Sequence, residues 1–343
     1  MTELAPIVHC DWLQLNVTTE VTINFKYHGF YKVKLMTHST RHFKIVEEIY
    51  HHNKRIATVT RQPLSNIIKA NTALIKFDNW LLYSFDLYAY AKNFIALNQM
   101  IFQNISRLDI CCDFQAFEDN MHPSKFIKSY LYGKYLRLGR TTAGTSYFQQ
   151  KKNEINFNSL KFGSNLSEVS CYLYNKTVEM STIKWKPWIA KKWFDENFPT
   201  NIDTWRLEVS LKSSAKFLVD KSTGETEELN NLEILKHENI LKLFVCLREK
   251  YFSFVIKDTQ IKKSRMKKLT LFKNEFSQFM IFDNSNSIAS NRSDKIFIKK
   301  LEQVNQDLRG QNLSFNIDIN CIKQQYIEIT GLHNWAVYKG LLN

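Results

Sequence analysis

Glycine and proline are scarce in this chain, 9 and 5 of 343 residues, while 44% of the residues are hydrophobic. That balance excludes disorder of the whole chain and leaves ample material for a core. No Cys-x-x-Cys occurs among the six cysteines at 10, 111, 112, 171, 246 and 321. Adjacent Cys111 and Cys112 would point to opposite faces of a strand. A disulfide scaffold and a thiolate zinc site are therefore excluded, and a reducing compartment is expected. The N-terminal residues show no basic stretch followed by an apolar one, and no run of 18 apolar residues appears. A soluble, untargeted protein that neither enters nor binds a membrane is the expectation. Acidic residues are the minority charge: 33 Asp and Glu face 47 Lys and Arg, a net +14. This excess steers polyanions to the surface and argues against an enzyme for small neutral substrates.

Phenylalanine (25) and tyrosine (15) are abundant, favouring strands with large aromatic side chains in the core. At about 150 residues per domain the length predicts two, placed at 1–220 and, as a basic C-terminal region, 221–343. Alternation predicts strands at 11–17, 21–24, 31–35, 42–50, 54–59 and 73–77, with a hairpin turn at 50–54. Helical spacing follows at 87–100, then a strand at 105–114. A helix at 124–131 behind Pro123, a loop through 141–145, and a strand pair at 161–163 and 169–174 come next. Helices at 186–198 and 229–250 flank a strand at 205–211. Beyond a polar stretch at 283–293, a helix at 296–308 and a strand at 313–319 complete the pattern. The fold class expected is α+β, a central antiparallel sheet flanked by helices.

Three strands carry polar residues on one face only. In Arg107-Leu-Asp109-Ile-Cys111-Cys-Asp113 the charged residues share a face, and Leu108, Ile110 and Cys112 share the other. In Trp205-Arg206-Leu-Glu208-Val-Ser210-Leu the face is Arg206, Glu208 and Ser210. Asp109 and Glu208, with Asp113, are candidate ligands for a hard divalent cation. Arg107 and Arg206 could neutralise either those carboxylates or a phosphate. The plain alternative is a salt pair on the sheet surface. The third strand, 169–176, aligns Ser170, Tyr172, Tyr174 and Lys176. A phenol is a weak nucleophile near neutrality, but a cation on the scissile phosphate with Lys176 nearby would offset that weakness. Tyrosine attack conserves the phosphodiester bond for later rejoining.

In their order, ISRLDICCDF, LKFGSNLSEVSCYLYNKTVEM and WRLEVSLK resemble the replication-initiation (Rep_trans-like) proteins of rolling-circle plasmids and related phages. KFDNWLLYS, KWKPW and EKYFSFVIKD add to the likeness, which spans residues 40 to 270. The resemblance implies a relaxase-like nucleotidyl transferase core that nicks one DNA strand at an origin, beside a hairpin, and stays linked through a tyrosine. It implies Mn2+ or Mg2+ as cofactor, Asp109 and Glu208 as metal ligands, and the tyrosine preceding Tyr174-Asn175-Lys176 as nucleophile, with Tyr172 preferred over Tyr174. The histidine-hydrophobe-histidine motif of ordinary relaxases is absent. His51-His52 is a poor substitute because adjacent strand side chains diverge, and His122 is either a third ligand or a surface residue before Pro123.

Candidate DNA contacts are Lys134, Arg137 and Arg140, and the cluster Lys262, Lys263, Arg265, Lys267 and Lys268. Trp185 and Trp188 could stack on bases or anchor a core. No Gly-rich loop precedes a Lys-Ser or Lys-Thr, so unwinding would fall to a separate helicase, in the cytoplasm of a bacterial host. Two alternatives remain: a mobilisation relaxase or transposition nickase of the same chemistry, and a non-catalytic sequence-specific DNA-binding regulator.

Overall fold

A computed structural model of the protein describes residues 5–19, 27–139, 144–151, 154–164, 166–215, 217–218 and 226–272. The expected strand at 21–24, Arg140, the polar stretch at 283–293 and the elements at 296–308 and 313–319 lie outside the described residues. The chain divides into two compact units, Met1–Ala215 with Glu228–Phe279, and Lys216–Glu227 with Met280–Asn343.

In chain order the elements are β1 (Ile7–Thr19), β2 (Lys32–Leu35), β3 (Phe43–His51), β4 (Lys54–Pro63), β5 (Thr72–Phe77), α1 (Asn79–Leu82), α2 (Leu87–Leu97) and β6 (Met100–Phe114). They continue with α3 (Pro123–Leu131), β7 (Tyr135–Arg137), β8 (Gly144–Lys151), β9 (Glu154–Phe162), β10 (Val169–Asn175), α4 (Lys176–Thr182), α5 (Pro187–Asp195) and β11 (Trp205–Lys212). β12 (Phe217–Leu218) and β13 (Thr226–Glu227) form a two-stranded ladder in the second unit. α6 (His237–Tyr251), β14 (Phe254–Ile256) and β15 (Lys268–Leu269) belong to the first.

Ten strands make one sheet in the order β2-β3-β4-β5-β1-β6-β11-β10-β9-β8, and every neighbouring pair is antiparallel. The α+β class with a large antiparallel sheet flanked by helices is as the alternation implied. One sheet face is apolar: Leu13, Leu15, Ile75, Leu108, Ile110, Leu173, Leu207 and Val209 are fully buried. α2 packs there through Ala91 and Phe94, and α6 through Phe244 and Leu247. The hairpin at 50–54 turns on His52 and Asn53, both with positive φ (46° and 61°), the geometry that fits the twist of paired strands.

Boundaries moved where capping chemistry intervened. The chain reverses at Gln99, whose φ is 51°, so Met100, expected at the end of a helix, opens β6. The region 229–250 is not one helix: the Leu229 carbonyl accepts from Ile105 N (2.6 Å) and Asn231 caps a single 3-10 turn at Leu232–Leu235 before α6 begins. Gly144 and Thr145, expected in a loop, start β8 instead. Lys176, expected at the end of the tyrosine strand, is the first residue of α4, because Asn175 accepts from Val178 N (3.0 Å) and ends the strand as a helix cap.

Candidate active site

The polar face of β1, β6, β11, β10 and β9 is built in registered rows. One row reads Asp113, Arg206, Tyr174 and Ser159; the next reads His9, Cys111, Glu208, Tyr172 and Lys161. A third carries Trp12, Asp109, Ser210 and Ser170. Directly opposed residues on antiparallel strands share a face. The three acidic and phenolic strands expected from sequence are thus immediate neighbours, and their polar faces coincide.

Arg206 organises this face. Fully buried, it holds Asp113 through two hydrogen bonds (2.6 and 2.7 Å) and reaches Asp11 with a third (2.6 Å). Burial alone would raise the Asp113 carboxyl, but the Arg206 guanidinium outweighs it and holds that carboxyl below the usual range. Asp11 is lowered by the same balance: burial opposes ionisation, Arg206 and Lys176 prevail. Trp193 of α5 donates its indole N–H to Asp113 (2.7 Å), and Trp188 donates to Asn79 of α1 (2.7 Å), which in turn donates to the Asp11 carbonyl. These tryptophans fasten α5 over the polar face. Arg107 in turn grips Asp109 through Nε and Nη2 (3.0 and 2.6 Å), and Ser210 also donates to that carboxylate.

The phenols divide by environment. Tyr174 is buried, donates to Glu208 Oε2 (3.0 Å) and accepts from Lys176 Nζ (3.3 Å). Burial first, and Glu208 second, push its phenol well above the usual range. Lys176 is fully buried and also pairs with Glu179 (2.8 Å). Tyr172 is half-buried, stacked on Tyr174 with ring centroids 4.6 Å apart. It is flanked in its row by Glu208 on one side and Lys161 on the other.

Among the described residues one group of side chains is gathered closely enough to hold a metal ion. His9, Cys111 and Asp113 bring three ligand atoms within 4.8 Å of one another. Burial depresses the His9 imidazole to about 4, so it is neutral near pH 7, and its buried Nδ1 has no hydrogen-bond partner among the described residues. The same burial pushes the Cys111 thiol up, and both Asp113 oxygens already accept from Arg206 and Trp193. The ligands expected from sequence, Asp109 and Glu208, do not form such a group: burial, then Asp11 and Asp109, push the Glu208 carboxyl up to about 7. Burial likewise raises Asp109 against the pull of Arg107. Like those of Asp113, both Asp109 oxygens already accept hydrogen bonds, here from Arg107 and Ser210.

Other expected residues fall elsewhere. His122 caps α3, accepting from Ser124 N, and packs against Trp205, whose parity puts it on the apolar sheet face. Lys134 precedes β7 and Arg137 ends it, while Lys267 precedes β15 and Lys268 opens it. Both strands pair with β14, so two basic segments far apart in sequence meet in one small sheet. Lys134, Lys262, Lys263, Arg265, Lys267 and Lys268 are exposed there. Arg137 instead donates to the Tyr251 carbonyl (3.0 Å) and lies over the Phe162 ring. Trp185 is exposed. The sequence reading missed Asp11, His9, Trp193 and Lys161. Asp11 and His9 sit near the start of β1, beside the apolar residues Ile7, Val8 and Cys10, which was the available signal. Lys161 and Trp193 gain meaning only from register and packing.

A solved structure described as a rolling circle replication initiator protein from Geobacillus stearothermophilus is similar in fold, with a TM-score of 0.51. The match covers 80% of this chain and 97% of that one, at 12% identity. No protein-family model and no curated protein matches the chain. At that identity the likeness is one of fold. Among the described residues no helix is long and apolar enough to cross a membrane.

Proposed function

We propose that the protein nicks one DNA strand at a replication origin through a covalent phosphotyrosine, and so initiates rolling-circle replication with the help of a divalent cation. One observation carries this reading: Tyr172, Glu208 and Asp109 stand on three adjacent strands with their side chains on one face. The similar fold of the Geobacillus stearothermophilus initiator supports it.

Tyr172 is the nucleophile in this reading because it is the half-exposed phenol of the pair and a phosphate can reach it. Its oxygen attacks phosphorus, its proton passes to the water that reaches this position, the bond from phosphorus to the 3′ oxygen breaks, and that oxygen takes up a proton. Tyr174 and Lys176 hold Glu208 from behind. Lys161, across from Tyr172, is placed to neutralise the phosphate. Asp109 and Glu208, with Asp11, would hold Mn2+ or Mg2+, and His9, Cys111 and Asp113 form a neighbouring set. When bound, the cation supplies charge neutralisation at the scissile phosphate. Duplex origin DNA is met by the basic sheet of β7, β14 and β15, and strand separation falls to a separate helicase.

The test is incubation of labelled single-stranded origin DNA with the protein and Mn2+, followed by denaturing electrophoresis. A protein-linked DNA band is expected from the wild type and from Tyr174→Phe, and none from Tyr172→Phe. The reverse pattern moves the nucleophile to Tyr174; a band that survives both substitutions overturns the mechanism. The ion pairs Arg107–Asp109 and Arg206–Asp113 also suit a silent DNA-binding protein, which would bind origin DNA and give no band at all.

A further inference from the structure

Beside the catalytic rows, a line of cations crosses the same sheet face. Lys76 on β5 is registered with Gln14 on β1, Gln14 with Arg107 on β6, and Arg107 with Lys212 on β11. At ~4.8 Å per strand the line is about 14 Å long, and all four side chains are half-exposed. Asp109 is held by Arg107 and Ser210, and Asp78, the acid that acts on Lys76, by Arg55 (2.9 Å). Trp12 stands one row closer to Glu208. Lys76 Nζ lies 3.6 Å and Arg107 Cζ 4.3 Å from its ring centroid. Its buried indole N–H has no partner among the described residues. From Lys212 the Tyr172 row is four residues along β11, about 13 Å.

Cations in line beside an indole, on the face opposite α2 and α6, suit a strand whose bases are unpaired. Phosphates meet the ammonium and guanidinium groups, and a base can use the aromatic surface. A duplex hides its base faces and would leave the indole unused. We propose that Lys76, Arg107 and Lys212 form a phosphate track for single-stranded nucleic acid, with Trp12 as its stacking platform. The track leads the strand to Tyr172; that last clause alone rests on the nicking reading.

The experiment is fluorescence anisotropy of a dye-labelled oligothymidine across a salt series, with wild type, the double variant Lys76→Gln/Lys212→Gln, Trp12→Leu and Trp12→Phe. Each lysine that neutralises a phosphate contributes about 0.7 to the log–log salt slope for single strands. The double variant should therefore lose about 1.4 of slope and roughly tenfold in affinity. Trp12→Leu should lose about tenfold with the slope unchanged, and Trp12→Phe should retain most of the binding. Thermal melting identifies any variant that fails to fold, and Lys76→Arg/Lys212→Arg, which keeps both charges, should bind like wild type. A folded double variant with wild-type slope and affinity overturns the track, as does a wild type that does not bind the oligonucleotide. Equal loss on single strand and duplex overturns the single-strand assignment. Track binding by a wild type that forms no covalent band overturns the nicking reading and leaves the track standing.

Discussion

Glu208 is the residue on which pH and the proposed metal site meet. Its carboxyl is lifted from about 4.5 to about 7 by burial and by the neighbouring Asp11 and Asp109. The metal-free folded protein therefore keeps a proton that the unfolded chain gives up. Stability from this group is full below the unfolded value, falls as pH rises, and is lost once pH passes the folded value. Glu208→Gln removes the burden: the metal-free variant should exceed wild type by about 1–3 kcal/mol at about pH 8, with little difference near pH 4.5, as read by thermal or urea unfolding. Mn2+ must displace the same proton, so wild-type affinity should fall as pH drops through about 7, and this dependence should vanish in Glu208→Gln. If His9→Ala instead carries the whole loss of Mn2+ binding, the set His9, Cys111 and Asp113 is the resident site.

The elements β6, β11 and β1 are tied by a single side chain. Arg206 is buried with Asp113 and Asp11, and loss of one partner of such a group leaves charge stranded in a low-dielectric interior. Arg206→Met should destabilise by about 3–5 kcal/mol, measured by chemical denaturation. Arg206→Lys should recover little, since one ammonium cannot grip both Asp113 oxygens and Asp11. The pH dependence gives the sign. Wild-type stability from Asp113 is present above its unfolded value and falls away on acidification through its lowered folded one. In Arg206→Met the stranded carboxyl protonates, so the gap to wild type narrows as pH falls. The order of residues along the chain could not disclose this tie; 93 residues separate the two ends of the Arg206–Asp113 pair.

Among the described residues, the two proposed basic surfaces lie on different sides of the sheet. The small sheet of β7, β14 and β15 packs through Phe254 against Phe126 and Phe162, on the side where Phe162 is registered with buried Cys171. Removing charge at Lys134, Lys263 and Lys268 should lower the duplex salt slope by about 0.9 for each phosphate left without its cation. The rate of covalent linkage to a short single strand should stay at the wild-type level, as read by gel. The architecture was partly legible beforehand. Alternation along 105–114, 169–174 and 205–211 marked three strands with one polar face each, and those faces carry the candidate site. The reach of Met100 into β6, the start of β8 and the turn before α6 were not legible, because a reversal at Gln99, pairing with β9 and an Asn231 cap decide them.

The period-two pattern of the chain determined by itself which side chains of each strand would share a face, since that follows from backbone geometry within one segment. Its excess of lysine and arginine likewise determined the positive sign of its net charge. Which strands lie beside which was decided only by the tertiary structure, through apolar burial and long-range pairing. Hence Asp11 joins Asp109 and Glu208, Arg206 turns to carboxylates and not to phosphate, and Lys161 takes the place beside Tyr172 that the sequence suggested for Lys176. Those neighbours come from segments dozens of residues apart, and no local rule of spacing records such meetings.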